Sequence, residues 1–269
     1  MLSRKPQVAG SFYPADRTVL QKFCETHLPL SAPHLSARAV ILPHAGYIYS
    51  GETACRVLAR VRVPEKNFLM GPNHRLYENE EFAIFPEGEW ETPLGKMTVD
   101  SELAAAFLKA SHNLKSDPGA HLSEHSLEVE LPFLQTRNPK AKIVPLIVGT
   151  LDLDRSRDVA LACGAVLASR REEMLVVVST DMSHYESDKA TRQKDRYALD
   201  AIENLDEEAL VRVVREHRIT MCGFVPVYML LVMKRLLGIR KATLVDYRTS
   251  ADATGDLDRV VGYAGFIFE

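Results

Sequence analysis

Short unbroken apolar runs recur along the chain, each followed by a turn and then by a stretch whose apolar positions return every three or four residues. The runs at 39–42, 67–70, 143–148 and 174–178 lack the polar alternation of a half-exposed strand, so they predict strands buried on both faces. The periodic stretches predict helices over 17–27, 51–60, 101–110, 154–169, 190–203, 207–216 and 224–237. Asp16 caps the first of these and Asp100 the third. Residues 29–36 read as a loop. Segments 82–85 and 97–99 are predicted to pair as antiparallel strands across the turn-prone residues 90–95, and 243–247 and 260–268 are the closing strands. A helix capped by Ser123 would set His125 and Glu128 three apart on one face. Without a linker or internal repeat, this alternation predicts one α/β domain over residues 1–269, a mixed β-sheet flanked by helices.

Three of the buried runs end on reactive side chains. Residues 39–42 lead into Pro-His-Ala-Gly-Tyr with His44, and 67–70 into Gly-Pro-Asn-His with His74. Residues 174–178 lead into Ser-Thr-Asp-Met-Ser-His with Asp181 and His184. The carboxyl ends of strands in an open α/β sheet line its functional crevice. A lone histidine after a strand is more often structural, but three strand ends carrying imidazoles and an acid argue for one site that binds a metal or moves protons. Cys222 precedes the helix at 224. There the amide dipoles favour its thiolate and Gly223 leaves room around the sulfur, so it is a soft ligand, a nucleophile or a small buried hydrophobe. His125 and Glu128 are either pocket residues or an ordinary helical pair. Phe12, Tyr13 and Tyr47 are candidates for the wall of the site. Cys24, Cys55 and Cys163 fall within helical apolar patterns and read as packing, whereas His27, His34, His112, His121 and His217 read as solvated.

Composition removes several functional classes. The 269 residues are 46% hydrophobic and 26% charged, enough for a sizeable core, and a net charge of −3 without long one-sign runs announces no nucleic-acid surface. No apolar run approaches the roughly 20 residues of a membrane span, and the first residues lack a signal-peptide core. Four cysteines without a CxxC pair fit a reducing, cytoplasmic setting.

Eight blocks carry a resemblance across nearly the whole chain. They are Ala-Gly-Ser-Phe-Tyr-Pro at 9–14, Pro-His-Ala-Gly-Tyr at 43–47, Gly-Pro-Asn-His at 71–74, Thr-Pro-Leu-Gly at 92–95, Glu-His-Ser-Leu-Glu at 124–128, Ser-Thr-Asp-Met-Ser-His at 179–184, Met-Cys-Gly at 221–223 and a closing Gly-Tyr-Ala-Gly. Through them the sequence resembles the Memo family. That resemblance implies a fold similar to the class III (LigB-like) extradiol dioxygenases, which use non-haem iron. By motif it implies His44, His74 and Cys222 as metal ligands, with Asp181 and His184 as the catalytic polar residues. A thiolate in place of the dioxygenase carboxylate admits copper or zinc as well as Fe(II). The implied activity is metal-dependent redox chemistry on an unknown small molecule or modified peptide, within a system that also contains an AMMECR1-type protein and a radical SAM protein. Two alternatives stand beside it. One is an adaptor that keeps the pocket to bind a ligand or phosphopeptide without turnover, and the other is a zinc-dependent hydrolase.

Overall fold

The apolar runs form the middle of a nine-stranded mixed sheet in the computed structural model, which describes residues 2–28, 35–75, 80–170 and 173–269. In chain order, β1 (Ser3–Arg4) and α1 (Arg17–His27) lead to β2 (Ala39–Leu42), a π-helical turn (Tyr47–Gly51) and α2 (Glu52–Leu58). Next come β3 (Lys66–Pro72), β4 (Phe82–Ile84), β5 (Glu89–Thr92), β6 (Gly95–Thr98), α3 (Ser101–Ala110), β7 (Lys115–Ser116) and α4 (Gly119–Leu122). A 3-10 turn (Glu128–Glu130) and α5 (Leu131–Arg137) precede β8 (Lys142–Val148), α6 (Leu153–Ala168), β9 (Met174–Ser179) and β10 (His184–Glu186). The chain ends with α7 (Asp188–Glu203), α8 (Glu207–Glu216), α9 (Phe224–Met233), β11 (Ala242–Thr249), α10 (Ala251–Thr254) and β12 (Val260–Phe268).

The large sheet runs β10-β12-β2-β9-β3-β8-β4-β7, with β11 also on β12, and β1, β5 and β6 make a separate small sheet. Its centre, β2-β9-β3-β8, is parallel. Both faces of this centre are covered, which is why its strands read as continuous apolar runs. Val40, Leu42, Leu69 and Val177 pack on one side with Leu20 of α1, Val57 of α2 and Leu134 of α5. Ile41, Met70, Val176 and Val178 pack on the other with Val159 of α6, Ala198 of α7 and Leu230 of α9. Because β2, β9 and β3 are neighbours, His44, Asp181 and His74 leave the sheet side by side.

Asp16 and Asp100 cap their helices as the pattern predicts, accepting the N–H groups of Val19 and Leu103. Several expectations need correction. Segments 82–85 and 97–99 do not pair with each other: β4 joins β8 and β7, while Met97 lies in β6 and pairs with β5. Three- and four-residue strands carry too little alternation to identify a partner. Ser123 starts no helix; it ends α4, and His125 lies in the irregular segment before the 3-10 turn that Glu128 begins, so the two do not share a helical face. The last long helix stops at Met233 rather than at 237. His121 is fully buried rather than solvated, its Nε2 at 3.0 Å from the Ala83 carbonyl and its ring edge-on to Phe85 and Trp90. His34 and most of the expected 29–36 loop lie outside the described residues.

Candidate metal centre

His44 follows β2 and is 1% exposed. Its backbone N–H donates to Asp181 Oδ1 at 2.8 Å, and its Nδ1 lies 2.8 Å from Ser179 Oγ at the end of the adjacent strand β9. The Ser179 hydroxyl has its own acceptors in the Ser126 carbonyl at 2.7 Å and Glu130 Oε1 at 3.0 Å. Its oxygen therefore receives the His44 Nδ1–H, and Nε2 is left with its lone pair towards the cleft. Burial, and then the neighbouring imidazoles of His74 and His125, hold His44 well below the ordinary histidine range. The ring is neutral at neutral pH, the form that binds a metal.

His74 follows β3, and its Nδ1 donates to Glu124 Oε1 at 2.9 Å while its backbone N–H donates to Glu124 Oε2 at 2.6 Å. The same carboxylate accepts the backbone N–H groups of His125 and Ser126, each at 2.8 Å. Burial pulls the Glu124 carboxyl upward. The hydrogen bond and charge of His74 outweigh burial, and the carboxyl ends well below the usual range. A 1% exposed carboxylate on the far nitrogen of an imidazole is the arrangement that orients metal-bound histidines. Nothing periodic in the sequence marks Glu124; its signals are its position immediately before His125 and its place as first residue of the block at 124–128.

His125 is brought in by a tight crossing rather than by a helix. The 126–127 turn lies so close to Gly71 that a Cβ there would meet Leu127 Cδ2 and Ser126 Oγ at 2.8 Å, and Ser126 Oγ donates to the Pro72 carbonyl at 3.0 Å. The His125 ring stacks on His74 with centroids 4.7 Å apart and stands edge-on to His44 at 5.5 Å. Burial outweighs the nearby Glu124 charge and lowers its pKa to about 4. His44, His74 and His125 each offer a nitrogen, all within 4.8 Å of one another, so the three form a candidate metal site.

Glu128 turns away from this cleft. It pairs with the fully buried Arg4 at 2.8 Å and accepts the N–H groups of Gln7 and Val8 and the Tyr13 hydroxyl. It thereby fastens the N-terminal segment, which lays the Phe12 ring against His125 at 4.8 Å. Tyr13 and Tyr47 do not wall the cleft. Both are buried, Tyr47 stacking on Phe133 and donating to the Val129 carbonyl at 2.7 Å. The wall belongs to Phe12, Tyr49, Tyr185 and Tyr263 around a space of about 440 Å³.

Cys222 is held at the other side of His44, with Sγ 3.3 Å from Nε2. Gly223 makes this possible, because a Cβ there would lie 2.5 Å from the Ser179 carbonyl oxygen and 2.4 Å from Thr180 Cβ. The thiolate expected from the helix dipole is not favoured in the protein alone. Burial and the Asp181 carboxylate push the thiol well up and outweigh the N–H groups of Asp181 and Gly223. The cysteine stands outside the three-histidine group. Asp181, 5% exposed, is raised to about 7 by burial, against the N–H groups of His44 and Ala45 that favour its charge. The His184 Nδ1–H donates to the Thr220 carbonyl at 2.9 Å, which leaves Nε2 as a proton acceptor in the cleft wall. Asp195 holds this segment by accepting the Ser183 N–H at 3.0 Å and the Tyr247 hydroxyl at 2.7 Å.

The family model described as Memo-like protein matches residues 4–267. The chain belongs to the Memo family. It is 40% identical to a MEMO1 family protein of Aquifex aeolicus over the full length of both chains. It is also 36% identical to one from Methanobrevibacter smithii, over 99% of each. A solved structure of an uncharacterized Escherichia coli K12 protein is similar with a TM-score of 0.49 and 12% identity, over 85% of this chain and 98% of that one. No helix among the described residues of this Memo-family chain is long and apolar enough to cross a membrane.

Proposed function

We propose that this protein is a metal-dependent redox enzyme built on a mononuclear centre. His44, His74 and His125 supply its nitrogen ligands, and Cys222 is the soft donor beside His44. The observation that carries the reading is the set of three mutually close imidazoles, two held by their Nδ1 on Ser179 and Glu124 so that Nε2 faces the cleft. The donor set fits a divalent transition metal, for which Fe(II) suits the nitrogen ligands and open cleft, while the thiol also accommodates copper or zinc. When bound, the metal would supply Lewis acidity and electron transfer, and its charge would make the half-buried Cys222 thiolate favourable.

The chain's own groups handle substrate and protons. His184 Nε2 takes a proton from a substrate hydroxyl in the cleft, fixed for that role by Nδ1 on Thr220. Asp181, hydrogen-bonded to the His44 backbone, steadies that ligand and offers a carboxyl that titrates near neutrality. Phe12, Tyr49 and Tyr263 shield the space from bulk water. Anaerobic loading tests this reading: a single equivalent of Fe(II) binds, and His44→Ala and His74→Ala abolish uptake. Co(II) substitution reports the cysteine through a thiolate charge-transfer band that Cys222→Ser removes. Fe(II) affinity untouched by all three substitutions overturns the assignment. Turnover that persists with zinc under strict exclusion of oxygen supports the hydrolase instead.

A further inference from the structure

A second and larger cleft, about 820 Å³, adjoins the back of Cys222. The histidines do not line it, and Cys222 does not line the first cleft, so the cysteine stands between the two. Leu151, Val214, Ile219, Met221 and Phe224 give it apolar walls, and no aspartate or glutamate lines it. Its charged groups are Arg215 and Arg218, three residues apart at the end of α8. Both side chains are exposed, and neither makes an ion pair or hydrogen bond among the described residues.

The backbone at Arg218 is left-handed, as it also is at Tyr185 and Leu205. Arg218 has φ +51°, directly after the helix cap, where the Ile219 N–H returns to the Val214 carbonyl at 3.0 Å. Glycine adopts that conformation freely, and an L side chain there costs on the order of 1 kcal/mol. The chain thus keeps a guanidinium at the mouth of an apolar trough at a position where stability alone favours glycine. A trough of this size holds a small organic molecule, and paired guanidiniums match an anionic oxygen head.

We propose that this trough binds a small amphipathic anion, its head between Arg215 and Arg218 and its apolar body running along Met221 and Phe224 towards Cys222. The assignment is independent of the metal reading. Octanoate, octyl phosphate and neutral octanamide, titrated into the full-length protein carrying methyl-labelled methionine, test it. The Met221 signal, identified with Met221→Leu, shifts with at least one anion, and the tighter of the two names the head as carboxylate or phosphate. Octanamide binds about tenfold more weakly or worse, and the Arg215→Gln/Arg218→Gln double variant weakens anion binding by about tenfold or more. Arg218→Gly raises the Tm and weakens binding together. His74→Ala keeps anion binding while losing Fe(II), so failure of either reading is seen separately. No shift with either anion, equal binding of octanamide, or full binding by the double variant overturns the proposal.

Discussion

Replacing Glu124 by glutamine tests the centre at the point where one side chain organises two candidate ligands. Four N–H groups converge on this carboxylate: His74 Nδ1, His125 N and Ser126 N on Oε1, and His74 N on Oε2 at 2.6 Å. Glutamine keeps the shape but has one acceptor oxygen. Its oxygen takes the three-donor side, which leaves its NH₂ facing the His74 N–H donor to donor. Losing a charge-assisted bond and burying an unsatisfied donor costs roughly 2–4 kcal/mol, and the remaining bonds weaken from charged to neutral. An orienting partner of a metal-bound histidine is typically worth about 10–100-fold in metal affinity. Urea unfolding of the metal-free protein and competitive Co(II) titration measure the two effects. The pH dependence adds an independent check. Because the folded Glu124 pKa lies below its unfolded value, its contribution is complete above the unfolded carboxylate range and is lost as pH falls through it towards the folded pKa. The Gln variant lacks that portion of the acid limb. Parent-like metal affinity together with parent-like stability would refute the role given to Glu124.

Three further substitutions probe the frame. Gly223→Ala must push a methyl into the Ser179 carbonyl and Thr180, so a loss of roughly 2–4 kcal/mol in urea unfolding is expected, with disappearance of the Co(II)–thiolate band; an unchanged band rejects the close-approach argument. Glu128→Ala strands the buried Arg4 and should cost roughly 3–5 kcal/mol, with mobility of the Phe12 segment visible as faster amide exchange at Gln7 and Val8. His121 is held neutral by burial, its pKa lowered to about 3. Its contribution is complete above the unfolded value near 6.5 and is lost as pH falls towards 3. Between pH 7 and about 4.5 the parent should lose roughly 2–3 kcal/mol more than His121→Gln, and parallel acid limbs in urea melts at the two pH values contradict this.

The residues that could be read in advance lie where the chain is most regular. β2, β3 and β9 are buried on both faces, so each announces itself as an apolar run and locates the histidine or aspartate at its end. The rest depends on contacts between distant residues. His125 reaches the cleft because its turn is pressed onto Gly71 and its N–H is tied to Glu124, neither of which leaves a periodic trace. Cys222 reads as activated by its helix, but desolvation beside the Asp181 carboxylate decides its proton, and that setting is fixed by Thr180 and Gly223 packing across the sheet edge. His121 looked solvated because nothing local marks the closure of Phe85 and Trp90 around it. Tyr13 and Tyr47 lie close in sequence to cleft residues but point into the core, and their neighbours Phe12 and Tyr49 take the wall.

The order of strands also dictates when the site can exist. β9 lies between β2 and β3 yet is made after both, so His44 and His74 are not seated across the sheet until residues 174–179 have been inserted. Cys222 follows still later, 178 residues beyond the imidazole it touches. During synthesis the chain emerges with its first two imidazoles unassembled, and such long-range pairing is slow to form. Under the proposed reading, capture of a metal is thus a late event that follows completed folding, and an N-terminal fragment ending before β9 lacks the strand that seats His44 beside His74.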